Sequence, residues 1–456
     1  MVKTMENISS SVTLIKQEKG ENKIIFLWSF TVWLVVMNTT MFNVALPSVL
    51  TDLSLSSSTA SWIVSGYSIV FAISTLTYSR LSDFIPIGRL LMIGLTLLSI
   101  SSIIGLFAQP FYLLLAARVL QAAGAGAVPG LAMVLAGRYI PISRRGRAMS
   151  FIASAASLGF GLGPVIGGAI TQYFGWHYLF AVTGLVIFLV PLFKKWIPAE
   201  EVKKGRFDYF GAVLTGVAVT GFLLFLTSFS FLFLFGSLIS FVLLWRHIHS
   251  AERPFIQPVL LKNKRYMMLL FVGFTAFMTH FSTLFLMPIM LSVLFGLEPA
   301  KIGIIIFPGA IFSAFAAPII GRFIDRLGNN PLILFGHVSL LLATFLFAFL
   351  SSLSPYVILI TYLFVSVGFS ALNSSVANEI SRILVKDEMG AGLGMAQLIQ
   401  FFGGAFGVAL AGLLLVWQES ILPTFAYRNI YLGLTTFIVI SFTIFLFYVR
   451  SSQLNK

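Results

Sequence analysis

Arg118 and Gln121 are the residues to consider first, because both lie inside a long apolar segment one helical turn apart. If that segment lies in a bilayer, the cation costs several kcal/mol unless it is paired or hydrated. At this spacing both side chains can face one cavity. Arg118 is therefore a candidate functional residue, and Gln121 is a candidate for a polar cavity wall. The alternative for both is a structural role, through hydrogen bonds between helices.

A third polar residue, His280, lies near the middle of another apolar segment. An imidazole titrates near neutral pH and can carry a proton, although a hydrogen-bonded packing histidine is the alternative. All 15 acidic residues lie in tails, in loops or near the ends of apolar segments. Among them Asp52 and Glu379 are candidates for proton coupling, if water-filled cavities reach them.

The elements that must position these residues are fourteen apolar segments separated by short polar loops. A helix of about 20 apolar residues crosses a bilayer, and each segment is of about that length. Hydrophobic residues make up 58% of the chain and charged residues 10%. The sequence thus predicts an all-α polytopic membrane protein. The predicted helices span 24–46, 59–80, 89–108, 111–137, 147–172, 176–193, 209–227, 229–246, 267–291, 301–321, 331–350, 355–377, 391–417 and 427–449.

The basic residues are unevenly distributed between the two sides of these helices. With the N-terminus placed inside, 26 of the 29 Lys and Arg residues fall in the tails and inner loops. Lys301 and Arg428 fall outside, and Arg118 lies within a helix. This asymmetry follows the positive-inside rule and predicts that both termini are cytoplasmic. The net charge of +14 is therefore topological, and we expect no nucleic-acid partner.

Two polar turns share a pattern of small, basic, apolar, variable and Asp residues. One turn, 79–89, contains Asp83 and Arg89, and the other, 321–331, contains Asp325 and Arg326. Such repetition is typical of transporters built from two similar halves related by an axis along the membrane normal. The predicted organisation is a cytoplasmic tail 1–23, an N-terminal six-helix half 24–193, an inserted pair of helices with basic loops 194–266, a C-terminal six-helix half 267–450 and a tail 451–456.

Four segments together carry a family resemblance. They are Asn38-Thr39-Thr40-Met41-Phe42-Asn43-Val44-Ala45-Leu46-Pro47, the turn with Asp83 and Arg89, Arg118-Val119-Leu120-Gln121-Ala122-Ala123-Gly124, and Gly159-Phe160-Gly161-Leu162-Gly163-Pro164-Val165-Ile166-Gly167-Gly168. The chain resembles the major facilitator superfamily in its 14-helix drug:proton antiporter branch, most closely the Gram-positive tetracycline efflux pumps. The expected fold is two six-helix halves plus two inserted central helices.

The resemblance implies roles for several of these residues. Asp83 and Arg89, with Asp325 and Arg326 as their counterparts, would close a cytoplasmic gate through charge-assisted bonds and helix-end interactions. Arg118 would take part in proton coupling. The antiporter motif would let helices approach closely and bend, in a mechanical role with simple close packing as the alternative; its residues are Gly159, Gly163, Pro164, Gly167 and Gly168.

The sequence also departs from the family pattern. Ser79 and Pro86 replace the usual glycines of the first turn, and Asn38 stands where an aspartate is common. The tetracycline pumps have glutamates at the positions of Phe160 and Gly404. The usual proton carriers are thus missing. Coupling would use His280, Asp52 or Glu379, or the transporter would be uncoupled.

Polar residues within the predicted helices are the candidates for a substrate cavity: Asn38, Thr39, Asn43, Gln121, Asn373, Gln397 and Gln400. Apolar walls with a few polar groups suit an amphiphilic small molecule. The expected function is drug efflux by alternating access across a bacterial plasma membrane, in exchange for protons. An exporter of lipid, fatty acid or metabolite, or an uncoupled facilitator, is the alternative. The sequence has no nucleotide-binding loop and no zinc-protease motif, so we expect no enzyme activity, cofactor or metal.

Overall fold

The computed structural model describes residues 22–42, 45, 48–49, 52–55, 57–197, 200, 207–252, 254–297, 299–385 and 388–453. All regular secondary structure in these ranges is helical. The helices are α1 (Asn22–Phe42), α2 (Ser57–Leu81), α3 (Ile87–Leu106), α4 (Phe111–Ala125), α5 (Ala127–Tyr139), α6 (Ile142–Phe174), α7 (Tyr178–Gly184), α8 (Val190–Trp196), α9 (Tyr209–Ser228), α10 (Phe231–Ser250), α11 (Pro258–Lys262), α12 (Lys264–Phe295), α13 (Pro299–Leu327), α14 (Asn329–Leu350), α15 (Pro355–Ile383), α16 (Met389–Trp417) and α17 (Pro423–Gln453). The predicted cavity residue Asn43 lies outside the described residues.

Twelve spans within the described residues are long and apolar enough to cross a membrane. Two further helices, α2 and α9, contain the shorter apolar stretches Ile69–Leu81 and Tyr209–Phe222. Large apolar side chains cover the outside of the bundle; Leu232 and Phe235 on α10, for example, are 77% and 60% exposed. Helices satisfy their backbone polar groups internally, so this apolar surface faces lipid without an energetic penalty. The predicted all-α membrane fold is confirmed at this level.

Proline divides two of the predicted helices. Residues 111–137 form α4 and α5, which meet at Gly126, because the ring of Pro129 clashes with the carbonyl of Ala125, the last residue of α4. Residues 176–193 form α7, a 3₁₀ segment at Leu185–Leu189, and α8. Pro191 lies in the first turn of α8, so its missing N–H falls where no helical bond is needed.

The helices pack in two groups. The N-terminal group contains α1–α8 and the C-terminal group contains α12–α17, and the two meet where α6 packs on α13 and α15 and where α2 and α5 pack on α16. Helices α9 and α10 pack mainly on each other, and α9 also contacts α16 and α2. Each group therefore contributes three helices to the contact between them.

The glycines of the predicted antiporter motif face α1 within the N-terminal group. A Cβ at Gly159 would lie 2.8 Å from the Trp33 carbonyl oxygen, and a Cβ at Gly167 would lie 2.7 Å from that of Met41. At Gly163 a Cβ would collide with Thr40. The interface with α13 thus uses another face of α6, and the motif itself serves close packing inside one group.

Pro164 has a specific effect at this contact. A proline cannot donate to the carbonyl four residues earlier, which here belongs to Phe160. The hydroxyl of Thr40 on α1 lies 3.4 Å from that carbonyl oxygen and donates to it. Gly168, the last residue of the motif, is partly exposed.

The C-terminal group repeats this packing. A Cβ at Gly403 of α16 would lie 2.5 Å from the Phe274 carbonyl oxygen, and one at Gly407 would lie 2.6 Å from that of Met278. Both carbonyls belong to α12. Helix α16 therefore approaches α12 as α6 approaches α1, which supports the repetition predicted from the two polar turns.

Candidate functional site

A small cavity lies between the two groups of helices, near the middle of the bundle. Its volume is about 30 Å³, enough for one water molecule. Three of the predicted cavity residues, Asn373, Gln397 and Gln400, line it. The side-chain amide of Gln397 on α16 donates to the carbonyl oxygen of Pro129 on α5 at 2.9 Å and thereby links the groups. Its amide oxygen is buried and has no hydrogen-bond partner in the part of the chain that the structure describes.

Six aromatic rings surround these amides and form what we call the phenylalanine cluster: Phe71, Phe160, Phe277, Phe281, Phe369 and Phe401. Two pairs cross between the groups. The Phe160 and Phe281 rings have centroids 4.7 Å apart at 77°, and those of Phe71 and Phe401 are 5.2 Å apart at 79°. Edge-to-face pairs of this kind are favourable, so they hold the two groups together around the cavity.

His280 stands beside this cluster on α12. Its ring stacks on Phe369 with centroids 4.0 Å apart and an angle of 6°. The side chain is 1% exposed, and neither ring nitrogen has a hydrogen-bond partner among the described residues. His280 is therefore not the hydrogen-bonded packing histidine that the sequence left as an alternative.

Phe281 occupies the space between the two positions that carry glutamates in tetracycline pumps. Its ring contacts Phe160, and a Cβ at Gly404 would lie 3.1 Å from the same ring. Where two acids would face each other, this chain has an aromatic contact.

Arg118 lies within the N-terminal group and is completely buried. Its guanidinium carbon lies 4.1 Å from the centroid of Phe42 and 3.9 Å from that of Tyr67. One terminal nitrogen donates to Gln121 at 3.0 Å, whereas Nε and the other terminal nitrogen have no partner among the described residues. The Gln121 amide donates in turn to Ser102 at 2.8 Å. The structure brings Arg118 and Gln121 together, but neither lines the central cavity.

Asn38 extends this buried network. Its side-chain amide lies 3.3 Å from the hydroxyl of Tyr67 and donates to it, and the hydroxyl of Thr183 donates to the Asn38 carbonyl at 2.9 Å. The hydroxyl of Thr39 donates to the Val36 carbonyl in its own helix at 2.6 Å. The side chains of Asn38 and Thr39 therefore form their hydrogen bonds within the N-terminal group and do not line the central cavity.

Asp83 occupies the turn between α2 and α3, at what we call the Asp83 end of the bundle. The side chains of Arg80 and Arg138 both form ion pairs with it, the latter at 2.7 Å. A Cβ at Gly390, the second residue of α16, would collide with its carboxylate. A carboxylate next to a helix N-terminus is favourable because the helix dipole is positive there. Asp83 thus links the N-terminal group to α16 of the C-terminal group.

Asp325 makes the corresponding contact from the C-terminal group. Its carboxylate accepts the backbone N–H of Arg147 at 3.3 Å, in the second turn of α6. A Cβ at Gly146 would lie 2.6 Å from the other carboxylate oxygen. The two acidic turns therefore each reach across to the first turns of a helix in the opposite group.

The structure adds two arginines to the first acidic turn. Asp83 forms ion pairs with Arg80 and Arg138, whereas Arg89 is exposed on α3. Arg326 is exposed next to Asp325. The gate roles of Arg89 and Arg326 stay predictions.

The remaining acidic candidates lie apart from the central cavity. Asp52 is exposed and accepts the indole N–H of Trp176 at 2.8 Å. Glu379 accepts hydrogen bonds from Asn329 and Tyr448, on α14 and α17. Glu379 thereby joins α15 to α14 and α17, and Asp52 joins the segment that precedes α2 to the one that precedes α7.

The sequence interpretation missed three arginines at the Asp83 end, Arg80, Arg138 and Arg145. Arg145 on α6 donates to the carbonyl and hydroxyl oxygens of Ser381 on α15, at 3.3 and 3.2 Å, and is 8% exposed. Arg80 had been noted only as the basic residue of the repeated pattern, although its partner Asp83 lies three residues later. Arg138 and Arg145 had been counted only as topological charges, and no local spacing reveals them, because their partners lie far away in the chain.

Comparison with known proteins decides the family. A family model described as Major Facilitator Superfamily matches residues 28–408. The chain belongs to the Major Facilitator Superfamily. It is therefore a multi-pass membrane transporter with a small-molecule substrate, and it is not an enzyme.

Two curated relatives cover most of the chain. The riboflavin transporter RibZ of Clostridioides difficile (strain 630) is 24% identical over 385 residues, which span 83% of this chain and 84% of RibZ. The methyl viologen resistance protein SmvA of Salmonella typhimurium (strain LT2) is 27% identical over 396 residues, spanning 84% and 80%. Neither relative is a tetracycline pump by name, so that part of the resemblance stays a prediction.

Solved structures support the fold. The human organic anion transporter MFSD10 (TETRAN) superposes with a TM-score of 0.72 at 14% identity, covering 93% of this chain and 99% of MFSD10. The proton:xylose symporter XylE gives 0.68 at 16% identity, with 94% of each chain covered. At these identities the likeness establishes the architecture of the superfamily.

Proposed function

We propose that this transporter exports planar aromatic molecules with hydrogen-bonding edges, by alternating access. The observation that carries the proposal is the pairing of three uncharged amides, Asn373, Gln397 and Gln400, with the surrounding phenylalanine cluster. Phenylalanine faces stack on flat rings, and amides both donate and accept hydrogen bonds. The name of one relative points the same way, since riboflavin contains a planar aromatic ring system with hydrogen-bonding edges.

The absence of charge from the described lining narrows the substrate class. A site for a strongly cationic drug would be expected to include a carboxylate, and the cavity lining has none. We therefore favour neutral or weakly charged compounds, of which riboflavin is one model and tetracycline another. The direction of transport is supported by SmvA, whose name is that of a resistance protein.

The size of the cavity supports alternating access. Binding sites for drug-sized ligands have volumes of about 300–1,000 Å³, whereas this cavity has about 30 Å³. The two groups must therefore separate to admit substrate. In our proposal they are the two six-helix halves, with α9 and α10 as the inserted pair of a 14-helix protein in a bacterial plasma membrane. The contacts of Asp83 with α16 and of Asp325 with α6 would then close the cytoplasmic side, where both termini lie.

Proton exchange is assigned to His280 in this proposal. Of the titratable residues predicted for coupling, it is the one that contacts the phenylalanine cluster. Movement of the two groups would wet the imidazole and allow it to take up a proton. Closure of the two groups would favour release of the proton, because a buried charge without a partner is costly.

The test is a flux assay with purified protein in liposomes under an imposed pH gradient. Lumenal pH is followed while riboflavin, tetracycline or the dication methyl viologen is added. We expect riboflavin or tetracycline to drive proton movement and methyl viologen to be the poorest substrate. In His280→Phe, which preserves the stacking shape, substrate-driven proton movement should disappear.

The controls separate the parts of the proposal. Phe235→Ala removes a phenylalanine that is exposed to lipid and should leave transport unchanged, whereas Phe401→Ala in the cluster should weaken it. Transport of methyl viologen alone would contradict the substrate class. Normal proton coupling in His280→Phe would remove histidine from the mechanism, and substrate flux without any proton movement would indicate an uncoupled facilitator.

A further inference from the structure

The inserted pair α9–α10 is tied together at one end by a buried carboxylate. Asp208, at the N-cap of α9, accepts the backbone N–H groups of Gly211 and Phe255, each at 2.9 Å. The Nε2 of His247 on α10 lies 2.9 Å from both of its oxygens. The side chain of Asp208 is 10% exposed and that of His247 is 22% exposed. We call these four residues the Asp208 clamp.

The clamp fixes the segment that follows α10, here called the strap, residues 254–262. Phe255 is 2% exposed and sits next to Phe207. Further along the strap, Ile256 and Leu261 pack on an apolar cluster formed by Leu214, Leu244 and Ile248 of the inserted pair. The strap is therefore held to α9 and α10 by both hydrogen bonds and apolar contacts.

The strap reaches the acidic turn through one backbone group. The carbonyl oxygen of Pro254, the neighbour of Phe255, accepts a hydrogen bond from Nη2 of Arg80 at 3.0 Å. The other terminal nitrogen of Arg80 pairs with Asp83. Because Arg80 is only 4% exposed, little water is available to replace a lost acceptor, and an unmade bond there is costly. Pro254 thus fixes the orientation in which Arg80 meets Asp83.

The loop on the other side of the inserted pair ends at the same place. Glu200 accepts the backbone N–H of Ile87, at the start of α3, and the hydroxyl of Tyr139. Ile197 lies 3.2 Å from the position of a Cβ at Gly88. Both connections of α9–α10 to the rest of the chain therefore contact the turn that contains Asp83.

We propose that the inserted pair braces the gate, and that Asp208 is a positioning residue that holds Arg80 against Asp83 through the strap. This inference rests on the gate assigned to Asp83 in the proposed function. It gives α9 and α10 a role beyond crossing the membrane: they anchor the strap, so that the ion pair at the turn is ready to receive the N-terminus of α16. Relaxing the clamp frees Arg80 and shifts the two groups of helices apart at the Asp83 end.

The charge of the clamp is suited to this role. Burial acts to raise the pKa of Asp208, but hydrogen bonds from Gly211, Phe255 and His247 outweigh it and lower the pKa below its usual value. A carboxyl with a depressed pKa stabilises the structure above its unfolded pKa, and loses that contribution only as pH falls through the folded value. Asp208 therefore stays ionised and keeps the clamp closed at neutral pH.

The test uses the absence of cysteine from the chain. A single Ser150→Cys reporter places a thiol on α6, at a fully buried position that faces Gly321 of α13. Its rate of reaction with a maleimide in liposomes measures opening between the two groups. We expect Asp208→Asn and Asp208→Ala to raise that rate about tenfold, as for the loss of one hydrogen bond to a charged group. His247→Ala should act in the same direction.

Matched variants make the result decisive. His249→Ala changes a histidine on the same helix that is exposed and contacts its own helix through the Trp245 carbonyl, and it should leave the rate unchanged. Asp83→Asn, combined with the Ser150→Cys reporter, tests the gate itself through the same labelling rate. If Asp83→Asn accelerates labelling and the Asp208 variants do not, the brace is overturned while the gate stands. If neither accelerates it, both are overturned. A lower melting temperature of the Asp208 variants with unchanged labelling would leave a structural role only and would also overturn the brace.

Discussion

At the scale of single residues, the environment of Arg118 is the most unusual. A fully buried guanidinium lies between the faces of Phe42 and Tyr67, with two of its nitrogens unpartnered among the described residues. Cation–π contacts contribute about 2 kcal/mol when they are desolvated, which partly offsets the cost of burying the charge. The planar shape of the group is what allows it to contact two rings at once.

This shape leads to a prediction for two substitutions. Arg118→Lys keeps the charge but loses the flat surface and the fork that reaches Gln121, so we expect partial transport activity. Arg118→Ala removes both and should lower the rate more than about tenfold, as when a charged hydrogen bond is lost. Initial transport rates at equal amounts of folded protein measure the difference. Wild-type rates in both variants would make Arg118 dispensable, and equal losses would show that charge alone contributes nothing.

The sequence identified these polar residues better than it identified their partners. The contact between Arg118 and Gln121 could be anticipated because both lie on one helix, a turn apart. Asn38, by contrast, was expected in the substrate cavity, but its side chain bonds to Tyr67 and Thr183. In a membrane protein both lipid-facing and core-facing sides of a helix are apolar, so sequence periodicity does not tell which polar residue faces the centre.

At the scale of helices, length and hydrophobicity predicted the elements well. The helix breaks that the sequence prediction missed lie next to prolines. Each apolar segment became helical within the described residues, because hydrocarbon leaves helix as the favourable backbone structure. The break at Gly126 was missed, although Pro129 follows it at the spacing that removes a helical hydrogen bond. A close approach of α6 to another helix was predicted from Gly159, Gly163 and Gly167, whereas the identity of that helix, α1, required the structure.

This close approach can be tested by adding one methyl group. In Gly163→Ala the new Cβ would collide with Thr40 and lie 2.8 Å from the Met37 carbonyl oxygen. Helices α1 and α6 must then move apart, at a cost of about 1–3 kcal/mol for overpacking. We expect a lower melting temperature in detergent and reduced transport. Gly433→Ala on α17 is the control, since nothing lies within 4 Å of its Cβ position; an equal loss of stability in both would refute the packing argument.

At the scale of the whole molecule, two related contacts hold the groups of helices together at one end. Asp83 reaches the first residues of α16, and Asp325 reaches the second turn of α6. The sequence indicated this repetition through its two similar turns. It could not indicate Arg145 and Ser381, which join the groups at the same end, because residues so far apart in the chain are brought together only by the fold.

If transport requires this end to open, a covalent link across it must stop transport. Gly137 on α5 and Ser381 on α15 suit a disulfide, since a Cβ at Gly137 would lie 3.8 Å from that of Ser381, within the normal range of about 3.5–4.5 Å. The natural chain has no cysteine, so Gly137→Cys with Ser381→Cys introduces a single possible bridge. Oxidation should abolish substrate flux in liposomes, and a reductant should restore it.

The matched control places a bridge within one element of the fold. Gly221→Cys with Ser237→Cys would link α9 to α10, where a Cβ at Gly221 lies 3.1 Å from that of Ser237, so the two helices must move apart by a few tenths of an ångström to admit the bridge. Oxidation of this pair should leave flux unchanged, because the two helices belong to one brace and need not separate. Undiminished flux through a fully oxidised Gly137→Cys/Ser381→Cys protein would mean that the two groups do not part at the Asp83 end. A block in the control as well would show that α9 and α10 also move relative to each other during transport, so that the inserted pair would be a moving part of the cycle.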